Sequence, residues 1–71
     1  MVYVIRAELR VRDRSYVTLD VAYYSKRSLE SDERVGFPSL INMARDLELI
    51  YEFEMVDQVR YTVISDNAVV L

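Results

Sequence analysis

Residues 3–24 read YVIRAELRVRDRSYVTLDVAYY, and the fold depends on how this stretch doubles back. Apolar residues recur at every second position, at Tyr3, Ile5, Ala7, Leu9 and Val11 and again at Val17, Leu19, Val21 and Tyr23. A period of two marks strands with one buried and one solvated face. The stretch therefore predicts a β-hairpin turning through Asp13, Arg14 and Ser15. A two-residue turn would set Leu9 against Thr18 and Ala7 against Asp20, mixing core and solvent faces. The three-residue turn pairs Val11 with Val17, Leu9 with Leu19, Ala7 with Val21 and Ile5 with Tyr23, which leaves one clean apolar face. In that register the opposite face sets Glu8 beside Asp20. Like charges directly opposite one another are destabilising, so this pair invites a functional explanation.

Outward from the hairpin, SKRSLESDERVG at residues 25–36 is polar and reads as a long exposed loop with room for a short helical turn. The only glycine and the only proline, Gly36 and Pro38, follow it closely. Pro38 or Ser39 starts a helix, proline suiting the first turn and serine the cap. Leu40, Met43, Ala44 and Leu47 share one face of it at three- and four-residue spacing, and it is predicted to end at 48–50. Tyr51, Phe53 and Met55 then alternate again, predicting a second hairpin that pairs Met55 with Tyr61 and Phe53 with Val63. The fold class is α+β, a single domain over residues 1–71 in the order β-β-α-β-β, with an antiparallel sheet packed on one helix. AVVL at 68–71 reads as a further edge strand or a dimer arm.

At 71 residues with no Cys, the chain has no disulfide to supplement a small core. Its 52% hydrophobic content is more than such a domain hides easily, and Val2, Val4, Tyr24, Val56 and Ile64 are left on the uncovered sheet face. A homodimer is the simplest cover. Arg6 and Glu8 interrupt the first apolar run before it reaches the length of a signal or membrane segment, so a soluble cytoplasmic protein without membrane contact is expected. Catalysis is not expected: the chain holds no His, no Cys and a single Lys, and no glycine-rich phosphate loop. Nor does any spacing predict a metal site, a cofactor or a small-molecule substrate.

Charge is unevenly placed. Residues 1–27 carry six Arg or Lys against three acids, and residues 28–71 carry three against nine. The acids gather in LESDE, as Glu30, Asp32 and Glu33, and in DLELIYEFEMVD, as Asp46, Glu48, Glu52, Glu54 and Asp57. Carboxylates two apart on a strand lie about 6.6 to 6.8 Å apart, close to two phosphate steps of about 3.4 Å along one DNA strand. Together with Glu8 and Asp20 these ten acids form the candidate partner-binding set, directed at a basic DNA-binding protein. The alternative is nucleic-acid binding through Arg6, Arg10, Arg12 and Arg14 of the hairpin, with Tyr16 and Tyr24 stacking on bases.

In size, acidity and α+β pattern, with LESDE and DLELIYEFEMVD as its acidic segments, the chain resembles the small acidic DNA-mimic proteins with which bacteriophages disable host DNA-binding proteins, including those that target the histone-like nucleoid protein. The resemblance implies a viral inhibitor in the host cytoplasm that works by occlusion, its carboxylates filling the partner's DNA groove.

Overall fold

The structure is a computed structural model and describes residues 2–66. The AVVL segment lies outside the described residues. The fold is α+β, in the order β1 (Tyr3–Val11), β2 (Tyr16–Tyr23), α1 (Lys26–Arg34), α2 (Pro38–Asp46) and β3 (Val56–Asp66). The three strands form one antiparallel sheet in the order β2-β1-β3. Among the described residues no helix is long and apolar enough to cross a membrane.

Strand β1 is the centre of the sheet, and its odd-numbered residues Tyr3, Ile5, Ala7, Leu9 and Val11 are all buried. They join Leu19, Val21 and Tyr23 of β2 and Leu29, Phe37, Leu40, Ala44 and Ile50 in one core. The apolar face expected from the period of two is therefore present, covered by two helices instead of one.

The hairpin register differs from the expected one by two residues. Leu9 lies opposite Val17, Ala7 opposite Leu19, Glu8 opposite Thr18 and Arg6 opposite Asp20. Glu8 and Asp20 do not face each other. A two-residue slip keeps every side chain on its face, so the apolar alternation cannot distinguish the two registers. The observed one replaces a like-charge pair by Arg6–Asp20, held by contacts of 2.9 and 3.2 Å. The connection is longer accordingly: the Arg14 N–H donates to the Val11 carbonyl at 3.0 Å, and Asp13 takes the left-handed conformation at φ 66°. Val11 itself pairs with Val56 of β3.

Helix α1 occupies the segment expected to be a loop. Ser25 caps it, accepting from the Ser28 N–H at 3.1 Å. At the far end Gly36, at φ 90°, sends its N–H to the Glu33 carbonyl, and Phe37 sends its own to the Asp32 carbonyl at 2.8 Å. This is the Schellman arrangement, in which a left-handed glycine ends a helix. Pro38 then opens α2.

Helix α2 buries Leu40 and Ala44, whereas Met43 and Leu47 are exposed. It ends at Asp46 by the same device as α1: the Glu48 N–H reaches the Arg45 carbonyl at 2.9 Å and the Leu49 N–H the Ala44 carbonyl at 2.9 Å. Here the left-handed position belongs to Glu48, at φ 61°.

The second hairpin does not form. Tyr51 to Glu54 make a turn, the Glu54 N–H donating to the Tyr51 carbonyl at 3.0 Å, and the alternating Tyr51, Phe53 and Met55 stand exposed. Tyr61 and Val63, their expected partners, instead lie opposite Ala7 and Ile5. The free edge of β1 is a better template, because docking β3 there helps bury Ala7 and Leu9 from both sides.

Candidate partner-binding surface

The ten candidate carboxylates divide into three settings. On the open face of the sheet, Glu8 accepts from Arg60 at 2.8 Å and Asp20 from Arg6 at 2.9 Å. The Arg60 guanidinium also lies 4.2 Å from the centre of the Tyr16 ring. Near the hairpin tip Asp57 pairs with Arg12 at 2.7 Å and Glu54 with Arg14 at 2.7 Å. These four acids are neutralised within the fold. The arginines' hydrogen bonds hold the Asp20 and Asp57 carboxyls below their ordinary range, and for Glu54 the Tyr51 N–H is the larger cause, with Arg14 second.

Asp32 belongs to the interior and is withdrawn from the partner-facing set. It is 8% exposed and accepts from the Tyr23 hydroxyl at 2.7 Å and the Ser39 N–H at 3.1 Å. One side chain thus ties α1, β2 and the first turn of α2 together. Because an isolated buried carboxylate is costly, both of its oxygens are hydrogen-bonded. Glu33 is exposed and accepts from the Tyr61 hydroxyl at 3.1 Å, while Glu30 is exposed on the same helix.

Asp46, Glu48 and Glu52 make the third setting. They line one recess of ≈ 230 Å³ with Arg45, Ile50 and Tyr51, brought together by the sharp end of α2 and the turn after it. Among the described residues none of the three makes an ion pair. They do not converge on a point that could hold a metal ion.

Of the four hairpin arginines, Arg6, Arg12 and Arg14 each pair with a carboxylate, and Arg10 makes no ion pair among the described residues. Sequence reasoning grouped eight of the ten acids by proximity in the chain and added Glu8 and Asp20 from the predicted hairpin register. It had no means of separating Asp32 from its neighbours, since only the packing of α1 on β2 sets that residue inside.

The register carries a direct test. Asp20→Asn and Glu8→Gln should each lower the melting temperature slightly, since each removes a cross-strand ion pair. A raised melting temperature in either variant would indicate that the carboxylates repel, as in the alternative register.

Comparison with protein-family models, with curated proteins and with solved structures finds no match to this chain.

Proposed function

We propose that the protein binds a basic DNA-binding protein, of the nucleoid-protein kind, and blocks its DNA site by mimicking DNA phosphates. The division of charge carries this reading. Three of the four hairpin arginines are tied to carboxylates of the fold, while Asp46, Glu48 and Glu52 share a recess with a single arginine, Arg45, and among the described residues form no ion pair. A cationic groove that normally neutralises phosphates would find in that recess an anionic surface of fixed geometry. The action is competitive occlusion, fitting a viral inhibitor of host DNA-binding proteins. It involves no catalysis and no cofactor.

Glu48 gives independent support. Its left-handed backbone is where glycine is the least strained choice, as at Gly36 in the equivalent place after α1. The same left-handed conformation occurs at Asp13 and at the buried Phe37, and what sets Glu48 apart is its place in the acidic recess. Glu48→Gly should therefore raise stability by up to about 1 kcal/mol and weaken binding to the basic partner. A denaturation curve and a binding titration on the same variant check both. Binding unchanged in Glu48→Gly and in the combined Asp46→Asn, Glu52→Gln variant would reject mimicry. A shift of duplex DNA at physiological salt that Arg10→Ala abolishes would favour the hairpin reading instead.

The active form in this reading is a homodimer, which would duplicate the acidic surface by symmetry. Its support is the outer edge of β3, unpaired among the described residues, and the exposed Val2, Tyr24 and Ile64. Val56 is withdrawn from that set, since it packs against the core. Sedimentation of the purified protein at micromolar concentration is expected to give twice the chain mass.

A further inference from the structure

Tyr51 and Phe53 are 65% and 81% exposed, yet their rings lie parallel, 2° apart in plane and 5.5 Å between centres. The turn that carries them is braced from several directions. Its Glu54 carboxylate accepts from the Tyr51 N–H at 2.7 Å and from Arg14 at 2.7 Å, and Arg45 donates to the Glu54 carbonyl at 3.3 Å. The fold thus holds two large rings against one another on a braced turn, where neither contributes to the core. Preorganised aromatic side chains of this sort dominate binding energy at interfaces, because little freedom is lost when they are covered.

The stack separates two recesses. Tyr51 borders the one that holds Asp46, Glu48 and Glu52, and Phe53 borders one formed with Arg12, Asp13, Arg14, Glu54 and Met55. A cation over an aromatic face is attracted by the ring itself, and here three carboxylates without ion pairs outnumber Arg45, the arginine that lines the same recess. That combination selects a guanidinium group over a neutral apolar side chain.

We infer that the Tyr51–Phe53 stack is the anchor of the partner interface and receives an arginine side chain of the basic protein, while Asp46, Glu48 and Glu52 engage neighbouring cations. This rests on the proposed function and adds the residue pair that anchors the contact. Carboxylates alone would give binding that fades as salt screens them. The stack supplies a component that salt leaves in place.

The test titrates the full chain against purified histone-like nucleoid protein across a salt series, using wild type, Phe53→Ala and Glu48→Gln/Glu52→Gln. Phe53→Ala is expected to bind about tenfold more weakly at every salt concentration, the size of an aromatic anchor's contribution, with an unchanged melting temperature. The carboxylate variant should lose affinity at low salt and converge on wild type at high salt. Wild type failing to bind the probe would overturn the mimicry reading and the anchor with it. Wild type binding with Phe53→Ala undiminished would overturn the anchor alone. The anchor is also overturned if Phe53→Ala changes the sedimenting mass, which would assign the stack to contact between copies, or if it removes binding to single-stranded DNA, which would assign it to bases.

Discussion

Leu9→Ala is expected to destabilise the protein by about 3 kcal/mol or more, the range for truncating a fully buried leucine. Leu9 sits on the central strand between Val17 and Val59 and has no exposed surface. The cavity left there would be walled by paired backbone on both sides, which limits collapse. Stability of about 0.05 to 0.15 kcal/mol per residue is usual, so a domain of this size stands to lose much of its margin. Leu47→Ala is the informative companion. Helical spacing sets Leu47 on the same face as Leu40, but it is 59% exposed, so its truncation should cost little. Urea denaturation of the two variants separates them, and equal losses would contradict the packing described here.

Asp32→Ala should cost about 2–4 kcal/mol, because it strands two donors, the buried Tyr23 hydroxyl and the Ser39 N–H at the start of α2. Tyr23→Phe removes a single hydrogen bond and should cost about 1 kcal/mol. The same pair sets a pH dependence. Burial, and next the hydrogen bond to Asp32, push the Tyr23 hydroxyl well above its ordinary range. A group whose folded value is raised contributes stability that is complete below its unfolded value, about 10 for tyrosine, and is lost as the pH rises beyond it. Alkaline melting curves should show that loss in wild type and less of it in Tyr23→Phe. At the acid end the sign reverses. Asp20, Glu54 and Asp57 are held low in the fold, so their contribution is present above about pH 4 and lost as the pH falls below it. A flat profile from acid to alkaline pH would contradict both assignments.

How much of this was legible before the fold was known varies by element. The alternation from Tyr3 to Tyr23 determined the hairpin and its buried face, because a strand's side chains change sides at every residue. It could not choose between registers two residues apart, and there the tertiary structure decided through the Arg6–Asp20 pair and the diversion of Val11 to Val56. Helix α2 announced itself through Pro38 and the spacing of Leu40 and Ala44. Helix α1 did not, since Leu29 is its one buried apolar residue and a single contact makes no period; Ser25 and Gly36 were the signals that could have found it. Tyr51, Phe53 and Met55 alternated like a strand and became a braced turn, because the open edge of β1 drew β3 away from them. The acidic character of DLELIYEFEMVD was plain in the sequence. Which acids remain unpaired was not, because ion pairing depends on residues dozens of positions away, as Arg60 is from Glu8 and Arg14 from Glu54. The sequence pattern by itself therefore determined the fold class, and composition the amount of charge. Only long-range packing decided which charges the fold neutralises, that Asp32 lies inside, and that Asp46, Glu48 and Glu52 share one recess beside a pair of exposed rings.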